Sequence, residues 1–128
     1  AAKVDKWRSI CVESIKQCGS AWLPSLELPM KPNDALVDTR QSDLSLIATL
    51  QPDAKHPSEQ IDAYATGHGR APGKLAIWVG PEGDYTPAEI NTIRTGALPI
   101  TLGPLVLRSE TAAIYCLAVL NYELQPRK

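Results

Sequence analysis

Two glycine-proline turns, each directly after an apolar stretch, hold most of the residues in this chain that can do chemistry. The first turn, residues 80–83, reads Gly-Pro-Glu-Gly and follows the apolar segment 75–79. Its glycines let the backbone approach a ligand closely, and the proline between them stiffens the turn. Glu82 is therefore held rigidly, where it can orient a ligand ammonium group or a neighbouring arginine. A plain strand-to-helix turn with an exposed Glu82 is the alternative, because short motifs match by chance.

The second turn, Gly103-Pro104, leads into an apolar run and then into a cluster of polar residues. The order is Leu105, Val106, Leu107, Arg108, Ser109, Glu110, Thr111. An apolar run on an exposed loop is unfavourable, so we expect residues 105–107 to be tucked into a pocket or under another segment. Arg108 would lie at the start of a helix, where it opposes the helix dipole, and such local conflicts are typical of functional sites. An ion pair of Arg108 with Glu110 or Glu82 that only fixes the loop is the competing explanation.

A sheet is needed to bring the two turns together. Three apolar segments, 44–50, 75–79 and 98–102, alternate with helical patterns. This alternation predicts an α/β fold with a mainly parallel sheet flanked by helices. Ligands bind such sheets at the carboxyl ends of the strands, and both turns fall there. The sequence Thr-Pro-Ala-Glu at 86–89 predicts a capping box that begins a helix, and Gly96 predicts a left-handed residue that ends it.

The helices at the two ends of the chain differ in character. Residues 4–18 have a single apolar stripe, which predicts an amphipathic helix that Gly19 stops. The proline-rich segment 23–30 can hold at most a short edge strand. The last helix, about 110–124, is apolar on most sides, so it is expected to be buried on more than one face. In a chain of 128 residues, a second subunit is the expected partner for that helix.

Composition excludes several classes of protein. The chain is of single-domain length, with a net charge of -1 and a pI near 6.1, so it lacks the basic surplus of a stand-alone nucleic-acid binder. No apolar run approaches a bilayer span, and no signal peptide is evident. Three cysteines without a CxxC pair support neither a metal site nor a disulfide framework, and they favour a reducing compartment. The two histidines lie in polar loop sequence without a nucleophile elbow, which argues against a hydrolytic triad.

Together, the two turns resemble those of the SPOUT superfamily of knotted methyltransferases. Within it, the chain is similar to the RsmE type, the 16S ribosomal RNA uridine-N3 methyltransferases. The resemblance rests on Gly80, Pro81, Glu82, Gly83, Tyr85, Thr86 and Glu89, then on Leu102, Gly103, Leu107, Arg108, Glu110, Thr111 and Ala112. Asp84 departs from the pattern by replacing the second glycine of a Gly-Gly pair, and Ser20 or Ala21 stands where the family has an arginine. Residues 1–128 are expected to be a SPOUT-type methyltransferase domain, as a fragment without the N-terminal PUA-like RNA-binding domain and the first strand.

The resemblance implies a deep C-terminal trefoil knot and S-adenosylmethionine as cofactor, bound bent within the knot. The implied cofactor-binding residues are Thr49, Leu50, Gly80, Pro81, Glu82, Gly83, Leu102, Gly103, Leu105, Leu107, Arg108 and Thr111. Arg108 is expected to stabilise the uracil anion, with Glu110 or Glu82 as a base or as the residue that orients it. The implied partners are small-subunit ribosomal RNA and a second copy of the chain, in the cytoplasm and without a membrane.

Two other functions stay open on this evidence. The chain can be a knotted S-adenosylmethionine-binding dimerisation fragment without activity of its own. It can also be a related methyltransferase that acts on transfer RNA. The Leu-Arg-x-Glu-Thr-Ala pattern at 107–112 favours the ribosomal family over the second of these.

Overall fold

The computed structural model describes residues 2–81 and 84–125, and the chain divides into two compact units, Ala1–Met30 and Lys31–Lys128. The first unit contains one helix, α1 (Ala2–Cys18). Gly19 ends it as predicted: its φ is 71°, and its N–H donates to the carbonyl of Ile15 at 3.0 Å. The segment 23–30 that follows contains no strand, in keeping with its prolines.

The second unit is an α/β layer structure built on three short strands. Its elements are α2 (Pro32–Thr39), β1 (Leu44–Ala48), α3 (Pro57–His68), β2 (Leu75–Trp78), α4 (Pro87–Ile93), β3 (Leu98–Ile100) and α5 (Ser109–Leu124). The strands are all parallel, in the order β2-β1-β3, so the predicted parallel sheet is confirmed. Each strand ends one or two residues before the end of the apolar segment that predicted it. Those last residues leave the sheet at its carboxyl end.

The central strand β1 is buried along its whole length, because helices cover both faces of the sheet. On one face, Leu44, Leu46 and Ala48 pack in a core with residues of α3 and α5. On the other face, Ile47 packs with Ile93 of α4 and with Ala97. This alternation along β1 follows from the period of two in a strand, and it decides which face of the sheet each side chain packs on.

The start of α4 was predicted correctly and its end was not. The hydroxyl of Thr86 accepts from the N–H of Glu89 at 3.2 Å, and the carboxylate of Glu89 accepts from the N–H of Thr86 at 2.9 Å, which completes the capping box. The prediction of a left-handed Gly96 is wrong, since Gly96 has no positive φ and the helix ends on Arg94 in the right-handed region. Gly96 instead allows close packing: a Cβ there would lie 3.3 Å from the side chain of Leu36.

The last helix, α5, has one face covered within this chain. Ala112, Cys116 and Leu120 form its buried stripe, at the spacing of one helical turn. On the opposite side, Ile114 is 70% exposed and Leu117 is 63% exposed. The second burial that its composition predicts is therefore not provided by residues 2–81 and 84–125. Among the described helices, none is both long and apolar enough to cross a membrane.

Candidate functional site

A cavity of about 380 Å³ opens at the carboxyl ends of all three strands. Its walls come from the end of β1 and the residues after it (48–51), from 79–81 after β2 and from 101–107 after β3, with Asp84 and two residues of α5. Parallel strands bring their carboxyl ends to the same edge, which is where open α/β sheets bind ligands. The volume lies within the range of about 300–1,000 Å³ that is typical of small-molecule sites.

Most of the residues that the sequence assigns to a cofactor line this cavity. They are Thr49, Leu50, Gly80, Pro81, Leu102, Gly103, Leu105 and Leu107. Arg108 and Thr111 do not line it, although they lie next to it at the start of α5. Glu82 and Gly83 lie outside the described residues. The structure thus places eight of the predicted residues around one space.

The predicted list of cofactor-binding residues left out a further set of lining residues, although the run 105–107 that was expected in a pocket already included Val106. They are Ala48, Gln51, Val79, Asp84, Thr101, Pro104, Val106, Ser109 and Ala112. Most of them directly flank a strand end or a glycine-proline turn, so their position at the sheet edge was the signal that could have identified them. Asp84 is different, because it entered the sequence analysis only as a departure from a motif.

The cavity wall is apolar on the side of the second turn. Leu105 and Val106 line it but are 73% and 76% exposed, so the prediction that this run is tucked away is wrong for both. Leu107 is half-buried. Gly103 turns the chain with a φ of 105°, and the run that follows forms the open side of the cavity. Polar groups come from the side chains of Thr49, Gln51, Thr101 and Ser109.

The first turn is tightly packed against the aromatic ring of Tyr85. A Cβ on Gly80 would lie 3.1 Å from two carbons of that ring and 3.2 Å from Oδ1 of Asp84. Glycine therefore allows this close approach, and any side chain here would force the ring of Tyr85 or the carboxylate of Asp84 to shift by a few tenths of an ångström. Burial raises the pKa of Tyr85 to about 12, and the negative charges of Asp84 and Glu89 act in the same direction. The phenol is consequently neutral at physiological pH.

Asp84 closes the first turn in a conformation that side chains rarely adopt. Its φ is 70°, in the left-handed region. Its N–H donates to the carbonyl of Pro81 at 3.0 Å, and its Oδ1 accepts from the N–H of Tyr85 at 2.8 Å. The local hydrogen bond is the kind that makes aspartate and asparagine more tolerant of this region than other residues. The result is a carboxylate fixed on the cavity wall.

Arg108 is the N-cap residue of α5 and does not cap the helix with its side chain. It lies between Leu107 and Ser109, both of which line the cavity, and it is exposed. Across the described part of the chain it forms no ion pair, so the predicted alternative of an Arg108–Glu110 bridge is not observed. Glu110 lies in the first turn of α5, where the helix dipole favours an acidic side chain. The Arg108–Glu82 alternative involves a residue outside the described ranges.

Comparison with protein families places these observations in context. A family described as "RNA methyltransferase domain" matches residues 1–121. The ribosomal RNA small subunit methyltransferase E of Mesomycoplasma hyopneumoniae is 33% identical over 116 residues, which cover 90% of this chain and 47% of that protein. The protein of the same name from Synechocystis is 28% identical, with 96% of this chain and 40% of that protein covered. The chain thus spans less than half the length of these curated relatives.

Solved structures resemble the fold closely. A Legionella pneumophila protein, whose structure is described as that of a methyltransferase with the bound cofactor SAM, is similar with a TM-score of 0.82 and 31% identity, over 94% of this chain and 46% of that chain. A ribosomal RNA small subunit methyltransferase E from Neisseria gonorrhoeae, bound to S-adenosyl methionine, is similar with a TM-score of 0.76 and 27% identity, over 94% of this chain and 48% of that one.

Proposed function

Because the chain belongs to the family of RNA methyltransferase domains, we propose that its cavity binds S-adenosylmethionine and that the chain methylates N3 of a uridine in 16S ribosomal RNA. The observation that carries the proposal is the cavity at the carboxyl ends of three parallel strands, with Arg108 between two of its lining residues. The names of the relatives and the cofactor in the two neighbouring structures support the cofactor and the small-subunit ribosomal RNA, and N3 of uridine follows from the resemblance to the RsmE type.

The residues of the cavity fit such a cofactor in size and chemistry. Leu50 and Leu102 provide apolar surface for the faces of an adenine, and the turn at Gly80 and the loop at Gly103 bring backbone groups to the wall. Hydroxyl and amide side chains nearby suit a ribose. When bound, S-adenosylmethionine supplies an electrophilic methyl group on a positively charged sulfur. The proposed binding set is the predicted one, including Glu82, Gly83, Arg108 and Thr111.

Arg108 is the proposed electrostatic catalyst. Uracil N3–H is weakly acidic, so N3 becomes nucleophilic only when its proton is removed and the resulting negative charge is stabilised. A guanidinium is always charged and donates two hydrogen bonds in a fixed geometry, which suits the uracil carbonyl oxygens that carry that charge. Glu110 or Glu82 is the proposed proton acceptor or the group that orients Arg108. Positioning of the two reactants supplies the rest of the rate.

The exposed face of α5 is the proposed contact with a second copy of the chain. Ile114, Leu117 and Tyr122 are all mostly exposed and lie on the side of the helix away from its buried stripe. Exposed apolar groups clustered in this way are typical of protein interfaces. A charged residue at Leu117 should therefore convert a dimer to a monomer, as measured by light scattering after gel filtration. Ala63→Glu, at an exposed position of α3, is a matched control that should leave the dimer intact.

Three further proposals follow from the family resemblance. The segment after β3 is proposed to form a deep trefoil knot with the rest of the second unit, which an experimental structure of the chain can check. The cytoplasm is the proposed location, because the substrate is ribosomal RNA. Since the chain has a net charge of -1, most of the affinity for RNA is proposed to come from outside it or from a small local patch around Arg108.

Calorimetry and a methylation assay test the proposal together. The chain should bind S-adenosylmethionine, and mass spectrometry of digested 16S ribosomal RNA should find one new N3-methyluridine after incubation with the chain and cofactor. Binding without transfer would identify a cofactor-binding module instead. Methylation of transfer RNA in preference to ribosomal RNA would favour the related enzyme class. Absence of cofactor binding would contradict the proposal altogether.

A further inference from the structure

We propose that Asp84 makes the cavity select the positively charged cofactor over its neutral product. The inference rests on the proposed function, because it assumes that S-adenosylmethionine binds in this cavity. Asp84 is the single charged residue among those described on the cavity wall. Its carboxylate therefore gives the wall one negative charge, whereas the other described lining residues are uncharged.

The carboxylate of Asp84 is held in place and forms no ion pair with a described residue. Oδ1 accepts the N–H of Tyr85 at 2.8 Å, and within residues 2–81 and 84–125 no lysine or arginine forms an ion pair with Asp84. The side chain is half-buried, so solvent screens its charge less than at a fully exposed position. A cation that enters the cavity is therefore attracted to it.

The backbone at Asp84 indicates that the side chain has a use beyond the turn. Its φ of 70° is the one positive value at a non-glycine position in the described ranges. Glycine adopts this conformation without steric cost, so an aspartate here retains some strain. Residues in strained conformations cluster at ligand clamps and active sites. The position faces the cavity, which connects the strain to a ligand.

Methyl transfer changes the charge of the cofactor at one atom. S-adenosylmethionine carries a sulfonium, whose methyl group leaves with the bond to sulfur broken and the electron pair retained on sulfur. The product, S-adenosylhomocysteine, has a neutral thioether and is otherwise unchanged. A carboxylate near the sulfur attracts the first and not the second. Asp84 is therefore a specificity residue that favours cofactor binding and product release.

The test compares ligands that differ in this charge. Calorimetry measures the dissociation constants of S-adenosylmethionine, S-adenosylhomocysteine and sinefungin, which carries an amine in place of the sulfonium methyl group. The variant Asp84→Asn keeps an oxygen for the N–H of Tyr85 and tolerates a positive φ, so it removes the charge alone. Asp84→Gly is a second variant that adopts the same backbone without strain and ensures a folded protein for comparison.

In the unmodified chain, S-adenosylmethionine and sinefungin should bind more tightly than S-adenosylhomocysteine. Either variant should reduce that preference by about tenfold, as expected for removing one opposite charge close to the ligand. The affinity for S-adenosylhomocysteine should change less than about twofold, because that ligand has no charge at sulfur for Asp84 to attract. Added salt should weaken the preference in the unmodified chain only.

Two outcomes would overturn the inference while leaving the proposed function intact. An unchanged preference in both variants would show that Asp84 does not sense the sulfur. Equal weakening of all three ligands would place Asp84 against a part of the cofactor that they share. If none of the ligands bound to the unmodified chain, the proposed function itself would fail, and the inference with it.

Discussion

The two ends of the parallel sheet both carry charged residues, and they use them in opposite ways. At the amino ends of the strands, Oδ2 of Asp43 accepts from the N–H of Gly73 at 2.7 Å, from that of Lys74 at 3.2 Å and from Nη1 of Arg70 at 3.3 Å. At the carboxyl ends, Asp84 and Arg108 form no ion pair with a described residue. The charged residues at the amino end connect the starts of β1 and β2, whereas those at the carboxyl end line or border the cavity.

The difference also appears in the pKa values of the side chains at each end of the sheet. The hydrogen bond from Arg70 lowers the pKa of Asp43, with backbone N–H groups acting in the same direction. At the other end, burial raises the pKa of Tyr85 and the carboxylates of Asp84 and Glu89 raise it further. Charges that satisfy one another hold a fold together. Charges that are fixed but unpaired are available to a ligand.

The largest expected effect is on catalysis, at the carboxyl end. Arg108→Ala should lower the rate of methyl transfer to 16S ribosomal RNA by about 10²–10³, since it removes charge stabilisation from the transition state. Arg70→Ala is the matched control from the amino end and should keep its rate. Thermal melting should change little for Arg108→Ala. Near-normal turnover with cofactor affinity intact would show that Arg108 is not catalytic.

Next in size is the effect of crowding the first turn. A Cβ at Gly80 would lie 3.1 Å from the Tyr85 ring, whereas one at Gly67 in α3 would meet nothing within 4 Å. Gly80→Ala should lower the free energy of unfolding by about 1 kcal/mol and weaken cofactor binding, because the ring must shift. Gly67→Ala should raise the free energy of unfolding by about 0.5 kcal/mol and leave binding unchanged. Denaturant unfolding measures the stability of both variants, and calorimetry measures their cofactor binding. Equal effects of the two substitutions would contradict the close contact between Gly80 and the Tyr85 ring.

A smaller effect is expected on the pH dependence of stability at the amino end. The pKa of Asp43 is below its ordinary value of 3.8 in the folded protein, so its contribution is present above that pH. The contribution is lost as the pH falls through the folded-state pKa. The difference in stability between the unmodified chain and Asp43→Asn should therefore shrink on acidification below about pH 5. A difference that grew in acid would contradict this sign, and cofactor binding at neutral pH should be equal in the two proteins.

The smallest expected effect is on the ionisation of Tyr85. Burial is the main cause of its pKa of about 12, so Asp84→Asn should move it only slightly toward the ordinary value of 10.0. An ultraviolet titration measures this, with Tyr85→Phe to identify the transition that belongs to this residue. A full return to the ordinary value would show that the charge of Asp84, and not burial, is the main cause of the raised pKa of Tyr85.

Much of this architecture can be predicted from the sequence because local rules determine it. The capping box at Thr86, the end of α1 at Gly19 and the three apolar segments each depend on neighbours within a few residues. Gly96 was misassigned because its role depends on a contact with Leu36, distant in sequence. The exposure of Leu105 and Val106 was missed for a related reason. The residue types show that the run is apolar, but they do not show whether another segment of the chain covers it.

The same limit applies to the candidate site. The two turns identified most of the cavity wall, because strand ends in a parallel sheet must converge. The importance of Asp84 depends on a backbone angle and on its having no ion pair with a described residue, and neither is visible in a residue pattern. Asp43 shows the converse, since its three hydrogen-bond donors come from a loop about thirty residues away in the chain.

The last helix, α5, touches the cavity, the core and solvent along one rigid rod. Ser109 and Ala112 line the cavity, Cys116 and Leu120 lie in the core, and Ile114 and Leu117 face outward. A partner that binds the outward face and shifts the helix would therefore change the affinity of the cavity for its ligand. Such linkage is reciprocal, so a ligand in the cavity changes the affinity for the partner by the same factor. Apparent ligand affinity then depends on protein concentration, and a titration at several concentrations measures the coupling.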